Sequence, residues 1–130
     1  MIDKIAWIEI VDGRILSTRS KGRSRYYLPG GKREAGESDL DTLVREIEEE
    51  LSVHLHPHTA GYVGEFHAQA DARPEGVLVR MRCYACDYAG NLTPASEIAE
   101  MIWLTYADRH RISAVDQIIF DHLHRAGRLR

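Results

Sequence analysis

The sequence predicts an α/β fold in which one sheet carries a helix on each face. Three observations predict it: β-branched and aromatic runs on both sides of a central amphipathic helix, a second amphipathic helix near the C-terminus, and Gly, Pro, Asp and Asn between the runs. A strands, helix, strands, helix order needs a sheet with partners on both sides. Residues 5–11 alternate as a strand, and Asp12-Gly13 supplies tight-hairpin chemistry into residues 14–18. A Lys-, Arg-, Gly- and Ser-rich loop at 20–25 then leads to Tyr26-Tyr27-Leu28, read as a short strand ending at Pro29, with Pro29-Gly30-Gly31 as a turn. The first helix starts at Ser38 or Asp39 and gathers Leu40, Leu43, Val44, Ile47 and Leu51 on one face. After Pro57, residues 61–70 and 77–86 form strands across the loop Arg73-Pro74-Glu75-Gly76, and a turn at Gly90-Asn91 precedes a short strand, Met101-Ile102-Trp103-Leu104. The last helix covers about 113–124, with Ser113 as N-cap, Asp116 three residues on, and Val115, Ile118, Ile119 and Leu123 as its apolar stripe.

A chain of 130 residues is expected to be one domain, 1–130, with a single core. No apolar run reaches membrane-spanning length and Met1-Ile2-Asp3-Lys4-Ile5 lacks the build of a signal peptide, so a cytoplasmic protein with no membrane partner is expected. The net charge of -3 is unevenly placed: eight of the 20 acidic residues fall between Glu34 and Glu50, whereas basic residues outnumber acidic ones elsewhere. That separation argues against a nucleic-acid-coating surface and for one acidic site that takes metal together with an anionic ligand. A homodimer is left open. Cys83 and Cys86 form a C-x-x-C, but residues three apart on a strand face opposite ways, which favours a structural role over zinc or redox chemistry. His54, His56 and His58 alternate in an extended segment and are expected to be exposed near a strand end.

The chemistry concentrates on the first helix. Glu46, Glu49 and Glu50 stand at i, i+3 and i+4 beside its apolar face, and they repel one another in the last two turns, where the helix dipole already disfavours negative charge. A cation would offset them, and oxygen ligands in this number suit Mg²⁺ or Mn²⁺ better than zinc.

Gly31, five residues, Glu37, seven residues, then Arg45-Glu46-Ile47-Glu48-Glu49-Glu50-Leu51-Ser52-Val53 resembles the Nudix box of the Nudix hydrolases. Every charged position of that pattern is filled, and Ser52 stands where the box carries a glycine for the turn leaving the helix. The resemblance implies an α-β-α sandwich with a mixed sheet, built around the box helix and the C-terminal helix. It also implies Mg²⁺- or Mn²⁺-dependent hydrolysis of a pyrophosphate bond in a nucleotide substrate. Glu46, Glu49 and Glu50 match the metal-binding glutamates, with Glu49 also a candidate to take the proton from water. Arg45 matches the box arginine, expected to hold a neighbouring carboxylate by paired hydrogen bonds in a network that Glu37 joins. Gly30 and Gly31 let backbone approach the site.

The resemblance also implies a base or an extra metal ligand from outside the box, with Glu75, Glu97 and Glu100 as candidates and Glu100 favoured. Arg19, Lys21, Arg23 and Arg25 form the one dense basic run; Arg19 and Arg25 are the candidates to grip substrate phosphates. Tyr27, Phe66 and Trp103 are the candidates to stack on a base. A small chain with few insertions is most similar to the MutT-type enzymes, which cleave nucleoside triphosphates to monophosphate and pyrophosphate. Nucleotide sugars, ADP-ribose and a regulatory domain that hydrolyses nothing are the alternatives.

Overall fold

A computed structural model describes residues 1–130. Three sheets and two helices are built from the predicted segments. Strand β1 (Ile2–Trp7) lies between β4 (Gly30–Lys32), antiparallel, and β7 (Leu78–Ala85), parallel, and β6 (Gly61–Gln69) closes the far edge antiparallel to β7. A second, antiparallel sheet has the order β2 (Ile10–Val11), β3 (Arg14–Ser20), β9 (Ile98–Leu104), and a two-stranded ribbon pairs β5 (His54–Leu55) with β8 (Tyr88–Ala89). Helix α1 (Asp39–Leu51) packs on β4 and β1, and α2 (Ala114–Arg125) packs on β6.

Alternation along β1 divides the interior. Ile5 and Trp7 enter a core with Leu16, Leu43, Ile47 and Leu51 beneath α1, whereas Ala6 and Ile8 enter a larger core with Met81, Ile119, Phe120 and Leu123 beneath α2. The single core expected from chain length is therefore two, on opposite faces of the sheet. Cys83 belongs to one and Cys86 to the other, both as free thiols, and burial pushes the Cys83 thiol above its usual range. Two cysteines on opposite faces cannot share a metal.

Ser38 caps α1 with a capping box: its Oγ accepts from the Asp41 N–H, and the Asp41 carboxylate accepts from the Ser38 N–H, both at 3.1 Å. Ser52 ends the helix in the left-handed conformation at φ 63°, which accounts for the glycine that the box carries there. The hairpin at Asp12-Gly13 forms with φ of 53° and 76°, positive at both central residues.

Several elements differ from expectation. The 5–11 run is two strands in two sheets, because the Ile8 N–H goes to Tyr84 O while Glu9 O receives the Leu16 N–H, and the chain crosses between sheets there. Tyr26-Tyr27-Leu28 makes only isolated bridges to Ile112 and Thr18, while Gly30 and Gly31, expected in a turn, lie in strand β4. Gly30 holds φ +145°, and a Cβ there would lie 2.0 Å from Ile5 O, so the close antiparallel pairing with β1 requires glycine. In α2, Asp116 makes no cap; it is buried and accepts the Leu28 N–H at 3.0 Å. Ile118 is exposed and Phe120 takes its place in the core.

Candidate active site

Helix α1 delivers the glutamates to the pair of glycines in β4. Glu50 Oε1 accepts the Gly30 N–H at 3.1 Å, and a Cβ on Gly31 would lie 2.3 Å from Glu46 Cδ. Burial pushes the Glu50 carboxyl up to about 8, and Glu46, Glu97 and Glu49 add to that rise while the Gly30 N–H opposes it. Burial also raises Glu46, against the pull of Arg45. Glu49 stands at the outer side of the helix with its side chain 56% exposed, 3.8 Å from Arg45 Nη1.

Arg45 ties this row together. Its guanidinium donates to both oxygens of Glu37, at 2.7 and 2.9 Å, to Glu46 Oε1 at 2.9 Å and to Lys32 O at 3.1 Å. Glu37 also accepts from Thr42 Oγ1 and from the Glu34 N–H, and Arg45 above all holds its carboxyl down at about 2. A bidentate arginine fixes carboxylate orientation as well as charge.

One cavity of about 470 Å³ begins at these carboxylates. Glu46, Glu50, Gly30, Gly31 and Glu97 line one end, and Ile2, Ala6, Val79, Met81, Leu28 and Val115 form an apolar wall deeper in. That volume lies in the range that takes a small organic ligand. Lys21, Arg23 and Arg73 supply cations to its lining, and Tyr27 lines it with its hydroxyl bonded to Asp71. Burial and that bond push the Tyr27 phenol up to about 12.

Other sequence candidates stand elsewhere. Register on β3 and β9 sets Arg19 opposite Glu100, and the two form a 2.8 Å ion pair that Tyr26 joins through its hydroxyl; neither lines the cavity. Glu97 does, so the carboxylate beyond the box that faces the site is Glu97 rather than Glu100. Arg25 donates to Ile112 O and pairs loosely with Asp71 at 4.0 Å, while Lys21 and Arg23 of the same basic run reach the cavity. Phe66 packs on His122 against α2, Trp103 packs into the α1 core, and Glu75 is exposed on its loop. His54, His56 and His58 lie near one another at the β5 end, with ring centroids 6.0 and 5.9 Å apart.

Lys4 was missed. It lines the cavity from β1, where burial lowers its pKa while Asp116 and Glu50 act in the opposite direction. The available signal was a lysine that strand alternation sets on the same face as Ile2 and Ala6.

No three His, Cys, Asp or Glu side chains converge tightly enough to hold a metal by themselves. Glu46 and Glu50 still fit a hard dication: the donors are all oxygen, and burial together with neighbouring carboxylates raises both carboxyls in a way that a positive charge would relieve. Mg²⁺ is commonly held by one or two carboxylates with water and substrate phosphate completing its shell.

The NUDIX domain family matches residues 5–123. No curated protein matches the chain. Among solved structures, the ORF135 protein of Escherichia coli is 26% identical over 97% of this chain and 92% of its own, with a TM-score of 0.74. The MutT NUDIX hydrolase of Burkholderia pseudomallei is 22% identical over 92% and 95%, with a TM-score of 0.77, and the MutT protein of Bacillus halodurans is 23% identical over 99% and 86%, with a TM-score of 0.75. The last two likenesses bear on the fold, and there they agree with the mixed sheet between two helices. With the family matched over nearly the whole chain, Gly30, Gly31, Glu46 and Glu50 lining one cavity and Arg45 holding Glu46 beside it, the chain belongs to the Nudix family.

Proposed function

We propose that this Nudix enzyme, a hydrolase of pyrophosphate bonds, acts with Mg²⁺ or Mn²⁺ on nucleoside triphosphates and releases monophosphate and pyrophosphate. The observation that carries this reading is the single cavity joining a carboxylate end to an apolar wall, which suits a ligand with phosphates at one end and a base at the other. Glu46 and Glu50 are the residues to hold the dication, with Glu49 one turn away at the helix surface. When bound, the metal neutralises phosphate oxygens and lowers the pKa of a coordinated water. Arg45 and Glu37 keep Glu46 aimed at the glycine pair, Glu97 stands where it can take a proton, and Lys21 and Arg23 attract the phosphate chain. The box carboxylates are all retained, which favours an enzyme over a regulatory domain.

Hydrolysis of a triphosphate panel in ¹⁸O-water with Mg²⁺ tests this. Monophosphate with pyrophosphate is expected, with all activity lost in excess EDTA. Stepwise release of orthophosphate, or turnover confined to nucleotide sugars or ADP-ribose, would overturn the substrate assignment. Nucleotide binding without any product would overturn the enzyme itself.

A further inference from the structure

We propose that Lys4 grips the phosphate that stays attached to the nucleoside, making it a substrate-binding residue of the cavity floor; this rests on the nucleotide reading above. Side chains of β1 alternate: Ile5 and Trp7 enter the α1 core, so Ile2, Lys4 and Ala6 turn to the opposite face, where all three line the cavity. Their partners on β7 are Val79, Met81 and Cys83, all buried and apolar. Lys4 is thus the one cation that β1 and β7 set into this floor, where an apolar side chain would cost less, and Lys32, its register partner on β4, lines the same cavity from the edge.

Its ammonium forms no ion pair inside the protein, where every cation in an ion pair is an arginine or a histidine. Two carboxylates act on it, Asp116 of α2 and Glu50 beside the glycines, and the like charges of Lys32 and Arg23 oppose them. Asp116 Oδ2 is engaged by the Leu28 N–H, and its buried Oδ1 has no hydrogen-bond partner, so Asp116 acts on Lys4 through its charge without pairing with it. An unpaired ammonium held between an acidic end and an apolar wall points to an anionic group of the ligand.

Register says which anion. Gly30, whose N–H meets Glu50, lies opposite Ala6, and Lys4 is two residues further along β1, roughly 7 Å away. Val79 and Met81 adjoin it on the other side. A nucleotide with its outer phosphates at the glutamates and its base on the apolar wall sets the sugar-linked phosphate over Lys4.

The test is binding of nucleoside monophosphates and the matching nucleosides to metal-free protein by calorimetry, in the parent and in Lys4→Met, Lys4→Gln and Lys4→Arg. The parent should bind a monophosphate at least about 10-fold more tightly than its nucleoside, since a charge-assisted contact is worth that much. Lys4→Met and Lys4→Gln should erase the difference and leave nucleoside affinity within about 2-fold, while Lys4→Arg should keep most of it. A midpoint of unfolding within about 5 °C of the parent shows that the fold is intact in whichever neutral variant is used. Unchanged monophosphate affinity in the neutral variants, equal loss for nucleoside and monophosphate, or a parent that does not distinguish the two would overturn the proposal. Hydrolysis by the parent is scored separately, so an inactive parent with Lys4-dependent monophosphate binding counts against the reaction and for Lys4.

Discussion

Gly31 and Glu46 meet so closely that a single added methyl group has no place: a Cβ at 31 would lie 2.3 Å from Glu46 Cδ and 2.6 Å from each of its oxygens. Glu46 cannot swing away freely, because Arg45 holds its Oε1 at 2.9 Å. The strand residue therefore sets the position of a carboxylate on the facing helix.

Gly31→Ala should keep the fold, since the clash is with a side chain and Gly31 has no positive φ, yet it should displace the Glu46 carboxylate. Roughly a 10²-fold loss in kcat is expected from misplacement of about 1 Å. Steady-state kinetics beside a thermal melt check this, and parent-like turnover would show that Glu46 need not sit where it does.

Glu50→Gln should lower kcat by roughly 10³-fold or more while keeping shape. Its effect on stability has a defined pH dependence. The folded-state pKa of about 8 stands above the ordinary 4.5, so the folded parent binds the extra proton and loses stability as pH rises from about 4.5 through 8. In metal-free protein the glutamine variant should be the more stable at pH 8 by roughly 2 kcal/mol, with the gap closing toward pH 5. Urea unfolding at both pH values measures it; a variant less stable at pH 8 would contradict the burial argument.

Glu97→Gln and Glu100→Gln should separate cleanly. The first removes a carboxylate that lines the cavity and should reduce kcat by roughly 10²-fold, the lower end of what a general base supplies. Glu100→Gln breaks a partly exposed pair with Arg19 and should cost about 1 kcal/mol or less in stability, with kcat within about 2-fold of the parent. The reverse order of effects would return Glu100 to the site.

Ser52→Gly should be nearly neutral. Glycine relieves the left-handed backbone at φ 63°, worth about 1 kcal/mol, but loses the Ser52 Oγ bond to Thr93 O at 3.1 Å and gains freedom in the unfolded chain. A change in melting midpoint above about 5 °C, or a large loss of activity, would mean that this side chain does more than end the helix.

Local chemistry was legible in the sequence wherever it depends on residues a few positions apart. Helical spacing set Leu43, Ile47 and Leu51 beneath α1 and Glu46 and Glu50 at its border, Ser38 marked the helix start, and the opposed faces of Cys83 and Cys86 followed from strand alternation. Tertiary structure decided what long-range pairing controls. Arg19 and Glu100 are 81 residues apart, and only antiparallel register pairs them with each other. Glu97 and Lys4 entered the cavity for the same kind of reason, one from the loop that leads into β9 and the other from the face of β1 that α1 leaves uncovered. The two glycines looked like a turn because glycine permits one; the approach of Ile5 O and of Glu46, both distant in sequence, made them a strand instead. Spacing along one element is written in the chain, whereas the partner across a sheet is chosen by the packing of the whole molecule.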